Sequence, residues 1–187
     1  MPADNNPEQR INLFSLVTYL PDPLGPFVDR LRQELVPDCN LRAHVTILPP
    51  RPLTATPEAA WAHIRSILRE CAAFELKLRD VEIFTLSSVV YLALNRQGRE
   101  QMQRLHGALN TGAAQFNEPY PYHPHVTLAQ QITPEQVPAV FDFARYRWAG
   151  FLHEHSFPID RATFVQSTIY NTWIDLDEDY LSQGTTP

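Results

Sequence analysis

Glycine is scarce in this chain, at six residues scattered singly. No glycine-rich phosphate loop can be built from them, which excludes P-loop and dinucleotide-binding readings. A G-x-S-x-G elbow is missing too, and with it a serine hydrolase of that kind. Cysteine is rarer still. Cys39 and Cys71 stand apart from any C-x-x-C pair, so neither a disulfide framework nor a zinc knuckle is expected. No apolar run is long enough to cross a bilayer. Met1 to Arg10 lacks the basic and apolar regions of a signal peptide, so a cytoplasmic location is expected. Lys77 is the one lysine among 15 basic residues, and the net charge is −6. That balance argues against long nucleic acid, whose phosphates need a basic face. The arginines still suit a small phosphate, which a guanidinium grips through two parallel hydrogen bonds.

The 187 residues suffice for one domain, or for two small lobes sharing a core. Asn12 to Leu20 reads as a strand, stopped by Pro21. Phe27, Leu31 and Leu35 then recur at helical spacing, ending near Pro37. Ala43 to Leu48 is a second strand, stopped by Pro49-Pro50. Thr56-Pro57-Glu58 is a helix start, with Thr56 as N-cap and proline at the first helical position. That helix runs to about Cys71, and Phe74 to Thr85 alternates as a strand. The order then begins again. Val89 to Asn95 is a strand, Gly98 to Phe116 a helix, and His125 to Ala129 a strand. Thr133-Pro134-Glu135 repeats the helix start, for a helix weakened by Pro138 and ending near Tyr146. Phe157 to Gln166 and Tyr170 to Leu176 complete the strands. The termini, 1–10 and 177–187, are expected to fray.

The pattern is an internal repeat, strand-helix-strand-helix-strand, over about 12–86 and 87–176. His44-Val45-Thr46 and His125-Val126-Thr127 lie 125 minus 44, or 81, residues apart. The same shift of 81 carries Leu76 onto Phe157, Leu78 onto Ile159, Val81 onto Ala162 and Ile83 onto Phe164. The helix starts differ by 133 minus 56, or 77, so a loop changes length between them. Two similar lobes facing one cleft are the expected result.

On a strand, residues two apart share a face, so each motif offers an imidazole beside a hydroxyl. Two such strands facing each other suit phosphodiester chemistry. One imidazole takes a proton from the nucleophile and the other gives one to the leaving oxygen. The hydroxyls of Thr46 and Thr127 can hydrogen-bond the non-bridging oxygens, where charge builds. A single His-x-Thr is weak evidence, since seven histidines and thirteen threonines give about half an occurrence by chance. Two copies at matching points of a repeat are far more specific.

The segments His44-Val45-Thr46-Ile47-Leu48-Pro49-Pro50 and Pro124-His125-Val126-Thr127-Leu128-Ala129-Gln130 resemble the 2H phosphoesterase superfamily. Within it they are most similar to the 2′-5′ RNA ligase-like (LigT-like) proteins. The resemblance spans about Asn12 to Leu176. It implies an α+β fold of two duplicated βαβαβ lobes, whose two antiparallel sheets line a central cleft. It also implies cofactor-free, metal-independent hydrolysis of a cyclic phosphate or phosphodiester of a nucleotide or short RNA end. Opening a 2′,3′-cyclic phosphate to a 2′-phosphate is the common case. The catalytic set would be His44, Thr46, His125 and Thr127, with His125 as base and His44 as acid. Two alternatives stand beside hydrolysis. One is a protein of this fold that holds a nucleotide or RNA end without turning it over. The other is joining of RNA ends through 2′-5′ linkages. Gln130 departs from the family's pattern, which often carries a basic residue there, and this argues against tRNA-sized substrates.

Further candidates surround the motifs. Arg42, two residues before His44, is placed to reach a substrate phosphate, as is Arg51 after the two prolines. Tyr122 could stack a base, and His123 shares the face of His125. Phe84 and Gln166, near the ends of equivalent strands, are candidate rim contacts by family analogy. His123, His125, His153 and His155 invite a metal reading, but the internal repeat explains His125 better. The expected partner is a nucleotide or short RNA, and the expected state is a monomer.

Overall fold

A computed structural model describes residues 9–183. The chain runs β1 (Arg10–Tyr19), α1 (Leu24–Leu35), β2 (His44–Arg51), α2 (Pro57–Leu68), β3 (Phe74–Phe84) and β4 (Val89–Leu94). It continues through α3 (Arg96–Leu109), β5 (His125–Ala129), α4 (Val137–Ala149), β6 (Ser156–Ile159), β7 (Arg161–Thr168) and β8 (Trp173–Tyr180). The fold is α+β. Its two four-stranded antiparallel sheets have the orders β2-β1-β7-β8 and β5-β4-β3-β6. No described helix is long and apolar enough to cross a membrane.

Each sheet borrows a strand. β3, from the first half of the sequence, pairs with β4, and β7, from the second half, pairs with β1. The two sheets share one register. Val17 lies opposite Thr46 and Thr163, while Tyr91 lies opposite Thr127 and Glu82. The shift of 81 relates Thr46 to Thr127 and Glu82 to Thr163. A second shift, 91 minus 17 or 74, carries β1 onto β4. In the β3–β6 pair, Leu76 lies opposite Phe157, its own counterpart under the shift of 81. That self-pairing marks a pseudo-two-fold axis, and Leu76 and Phe157 are buried on it.

Side-chain periodicity explains how the helices dock. Leu24, Val28 and Leu31 of α1 are buried, and the shift of 74 takes them onto buried Gly98, Met102 and Leu105 of α3. Gly98 permits close approach, because a Cβ there would lie 2.6 Å from Leu76 Cδ2. Thr56 caps α2, its hydroxyl accepting from the Ala59 N–H at 3.2 Å. Trp61 of α2 stacks on Phe164, which stacks on Phe14, with centroids 5.5 and 5.4 Å apart.

The structure differs from the sequence expectations in four places. The strand expected over Phe157 to Gln166 breaks at Asp160 into β6 and β7, which join different sheets. β2 passes through Pro49-Pro50 to Arg51, since an edge strand tolerates residues that lack an N–H. α4 starts at Val137, with Pro138 in the first turn, where no intrahelical donor is required. The expected fraying falls partly on ordered strand. β8 continues through Tyr180 because Asp177 accepts from Trp61 Nε1 at 2.7 Å and Asp179 from Arg65 and Arg69 Nε at 3.0 Å. Arg10 belongs to β1. Residues 1–8 and 184–187 lie outside the described residues.

Candidate active site

The two motif strands are edge strands, one in each sheet, and they approach within 8 Å, Cα to Cα. His44 lies opposite Tyr19 and Thr46 opposite Val17. His125 lies opposite Ala93 and Thr127 opposite Tyr91. Val45 and Val126 point the other way and are buried. All four motif side chains are half-buried on the face their strand parity dictates.

Both imidazoles are held alike. His44 Nδ1 lies 2.7 Å from the Arg42 carbonyl, and His125 Nδ1 lies 2.7 Å from the His123 carbonyl. A carbonyl only accepts, so each Nδ1 carries the proton. Each Nε2 is then left with its lone pair for other chemistry. Burial pushes the His44 pKa down to about 4, and the charges of Arg32 and His125 lower it further. Burial likewise lowers His125, against the bond to the His123 carbonyl, which raises it. Both motif histidines are therefore neutral at pH 7.

Their surroundings differ. Phe84 stacks on Tyr91, with centroids 4.0 Å apart, and its ring lies edge-on to His125 at 5.0 Å and to His123 at 5.1 Å. Beside His44, Tyr19 carries the Arg42 guanidinium over its ring at 3.9 Å, and its hydroxyl donates to Asp175 Oδ1 at 2.5 Å. The Tyr91 hydroxyl donates to Glu82 Oε2 at 2.9 Å. Each histidine thus has a nearby tyrosine bonded to a carboxylate. Burial and these carboxylates raise both phenol pKa values, so the hydroxyls stay protonated.

Of the other sequence candidates, Arg42, His123 and Phe84 stand beside the motif histidines, while Gln130 is exposed just past β5. Three have different placements from those expected. Arg51 is 2% exposed, and its guanidinium donates to the Pro49 and Ala114 carbonyls, to Asn110 Oδ1 and to Glu118 Oε1. It ties the end of β2 to the loop before β5 and is not free to reach a phosphate. Gln166 lies on the opposite face of its sheet from Thr163 and Val165, and its amide donates to the Ile11 carbonyl at 3.0 Å. Tyr122 is covered by His106, stacked at 4.0 Å, and its hydroxyl donates to the Thr46 carbonyl at 2.7 Å. It braces one motif strand against the segment entering the other. His153 and His155 pack with Phe151, apart from the cleft, and no described group of three or more His, Cys, Asp or Glu is placed to hold a metal ion.

Tyr19, Tyr91, Glu82 and Asp175 escaped the sequence reading. The signal that finds them is cross-strand register. Tyr19 lies opposite His44, and Tyr91 lies opposite both Thr127 and Glu82, but only once the strand partners are known.

Solved structures with the same fold are recognisable. Escherichia coli LigT complexed with 3′-AMP aligns with a TM-score of 0.60 at 19% identity, covering 94% of this chain and 99% of that one. A structure described as a phosphoesterase aligns at 0.57 and 18%, covering 94% and 99%. Kluyveromyces marxianus Usb1 aligns at 0.56 and 14%, covering 91% and 99%. No curated protein matches the sequence. A sequence model of the 2′-5′ RNA ligase superfamily matches residues 20–168, a span that contains both histidine motifs, and this protein belongs to that superfamily.

Proposed function

We propose that this protein is a metal-independent phosphodiesterase that opens a cyclic phosphate or phosphodiester of a nucleotide or short RNA end. The observation that carries this is the matched pair of imidazoles. Each is anchored through Nδ1 to the carbonyl two residues earlier, and each keeps Nε2 for proton transfer. E. coli LigT has been solved with phosphate, 3′-AMP and ATP, and Usb1 with uridine monophosphate, so relatives of this fold bind nucleotides.

In the hydrolytic direction the Nε2 of one histidine, assigned here to His125, accepts a proton from water as the water oxygen bonds to phosphorus. The other, His44, donates a proton from Nε2 to the ribose oxygen as its bond to phosphorus breaks. Thr46 and Thr127 donate to the non-bridging oxygens. Both imidazoles begin neutral, so the acid must be charged first. The substrate's phosphate anion offsets the desolvation that depresses His44, and the imidazole then takes a proton from solvent.

The test uses nucleoside 2′,3′-cyclic phosphates and short RNAs ending in a cyclic phosphate, with EDTA present, on wild type, His44→Ala and His125→Ala. Turnover in EDTA that both substitutions abolish is expected. Tight nucleotide binding without turnover would favour a non-catalytic role, and activity lost to EDTA would refute the metal-free route.

A further inference from the structure

Arg32 stands out among the cations of this fold. It lies on α1, is 2% exposed, and makes no ion pair with another described residue. Its Nε is buried without a hydrogen-bond partner. The other fully buried guanidinium, that of Arg51, is by contrast bonded to a carboxylate, an amide and two carbonyls. An uncompensated buried charge is costly, and an orphaned donor in a well-packed interior needs an explanation.

The fold brings the helix that carries Arg32 close to both motifs. α1 comes within 8 Å of β5, Cα to Cα. One turn before Arg32, the Asp29 carboxylate accepts from the Ala43 N–H at 2.6 Å, and Ala43 immediately precedes His44. Residues three apart on a helix share a flank, so Arg32 and Asp29 both lie toward the start of β2. Its charge also reaches His44. The repeat sharpens the contrast. The shift of 74 carries Arg32 onto His106 of α3. His106 is satisfied by protein alone: Nδ1 meets the Ile47 carbonyl at 2.9 Å, Nε2 lies 3.4 Å from Glu118, and the ring stacks on Tyr122. One half therefore uses this position as a brace, and the other places there a permanent cation with no counter-ion among the described residues.

We propose that Arg32 is an anion-holding residue of the cleft, binding a substrate phosphate beside the two histidines. A guanidinium fork matches phosphate oxygens two at a time. The assignment adds a second cation to Arg42 at a site where Arg51 is committed elsewhere and Gln130 is neutral. It rests on the phosphodiesterase reading above and adds to it a source of positive charge outside both motifs.

The probe is inorganic phosphate, titrated calorimetrically into wild type and Arg32→Met, alongside turnover of a nucleoside 2′,3′-cyclic phosphate. Phosphate affinity is expected to fall about tenfold or more in Arg32→Met. The ligand-free variant should melt no lower than wild type, because an unpaired buried charge has been removed. If Arg32→Met does not fold, the side-chain Nε–H NMR signal of Arg32, assigned by its loss in Arg32→Lys, decides the matter. It should move on saturation with phosphate, and a stationary signal overturns the proposal. Wild-type turnover with phosphate affinity and KM within twofold in Arg32→Met overturns this inference alone. Failure of wild type both to bind phosphate and to turn over overturns the parent reading with it.

Discussion

Acid should unfold this protein in part through a single side chain, His44. Its ordinary pKa of 6.5 is lowered to about 4 in the folded state by burial. Between those values the unfolded chain binds more protons than the folded one, so stability falls as pH falls. The loss begins near the unfolded pKa and is complete once pH drops below the folded one. The full effect is about 3 kcal/mol, of which roughly 2 kcal/mol is already lost at about pH 5. His125 and His123 are lowered too and act with the same sign, so the wild-type curve alone does not isolate His44. The comparison with His44→Gln does. Urea unfolding of both proteins, from about pH 8 down to about pH 5, should show the free-energy gap between them shift by roughly 2 kcal/mol in favour of the variant. Saturating phosphate should shrink that shift, because a bound anion restores the proton affinity of the imidazole. A gap that stays constant with pH would refute the claim that His44 is held neutral by its surroundings.

Three other outcomes follow from the geometry. Glu118→Ala leaves the Arg51 guanidinium, 2% exposed, without its carboxylate, and should cost about 3–5 kcal/mol in chemical denaturation. Tyr122→Phe removes the bond to the Thr46 carbonyl, costs about 1 kcal/mol of stability and lowers kcat more than it changes KM. Thr46→Val and Thr127→Val keep side-chain shape but lose the hydroxyl. Each should lower kcat on a cyclic phosphate on the order of 10²-fold while leaving the melting temperature near that of wild type.

The elements that were readable in advance are those fixed by local chemistry. The helix start at Thr56-Pro57-Glu58, the alternation of β3 and the pairing of an imidazole with a hydroxyl in each His-x-Thr strand all follow from neighbours in sequence. What escaped depends on distant partners. Nothing near Arg51 says that its counter-charge will be Glu118, so a buried tie reads like an exposed phosphate ligand. The face that Gln166 takes depends on how β7 aligns with β1, which no residue near it in sequence reveals. The break at Asp160 separates two strands that local alternation treats as one, and only the competing demands of two sheets explain it.

The exchange of strands also fixes when the cleft can form. The sheet that carries His44 needs β7 between β1 and β8, and Val17 pairs with Thr163. Pairings so distant in sequence close slowly, because the loop entropy is lost before the contact repays it. On the ribosome, β1 and β2 would emerge well before β7 and wait, with one edge of β1 unpaired, until β7 had been made. Such an edge can pair with other strands, so this interval is the stage of synthesis at which a nascent chain most needs protection.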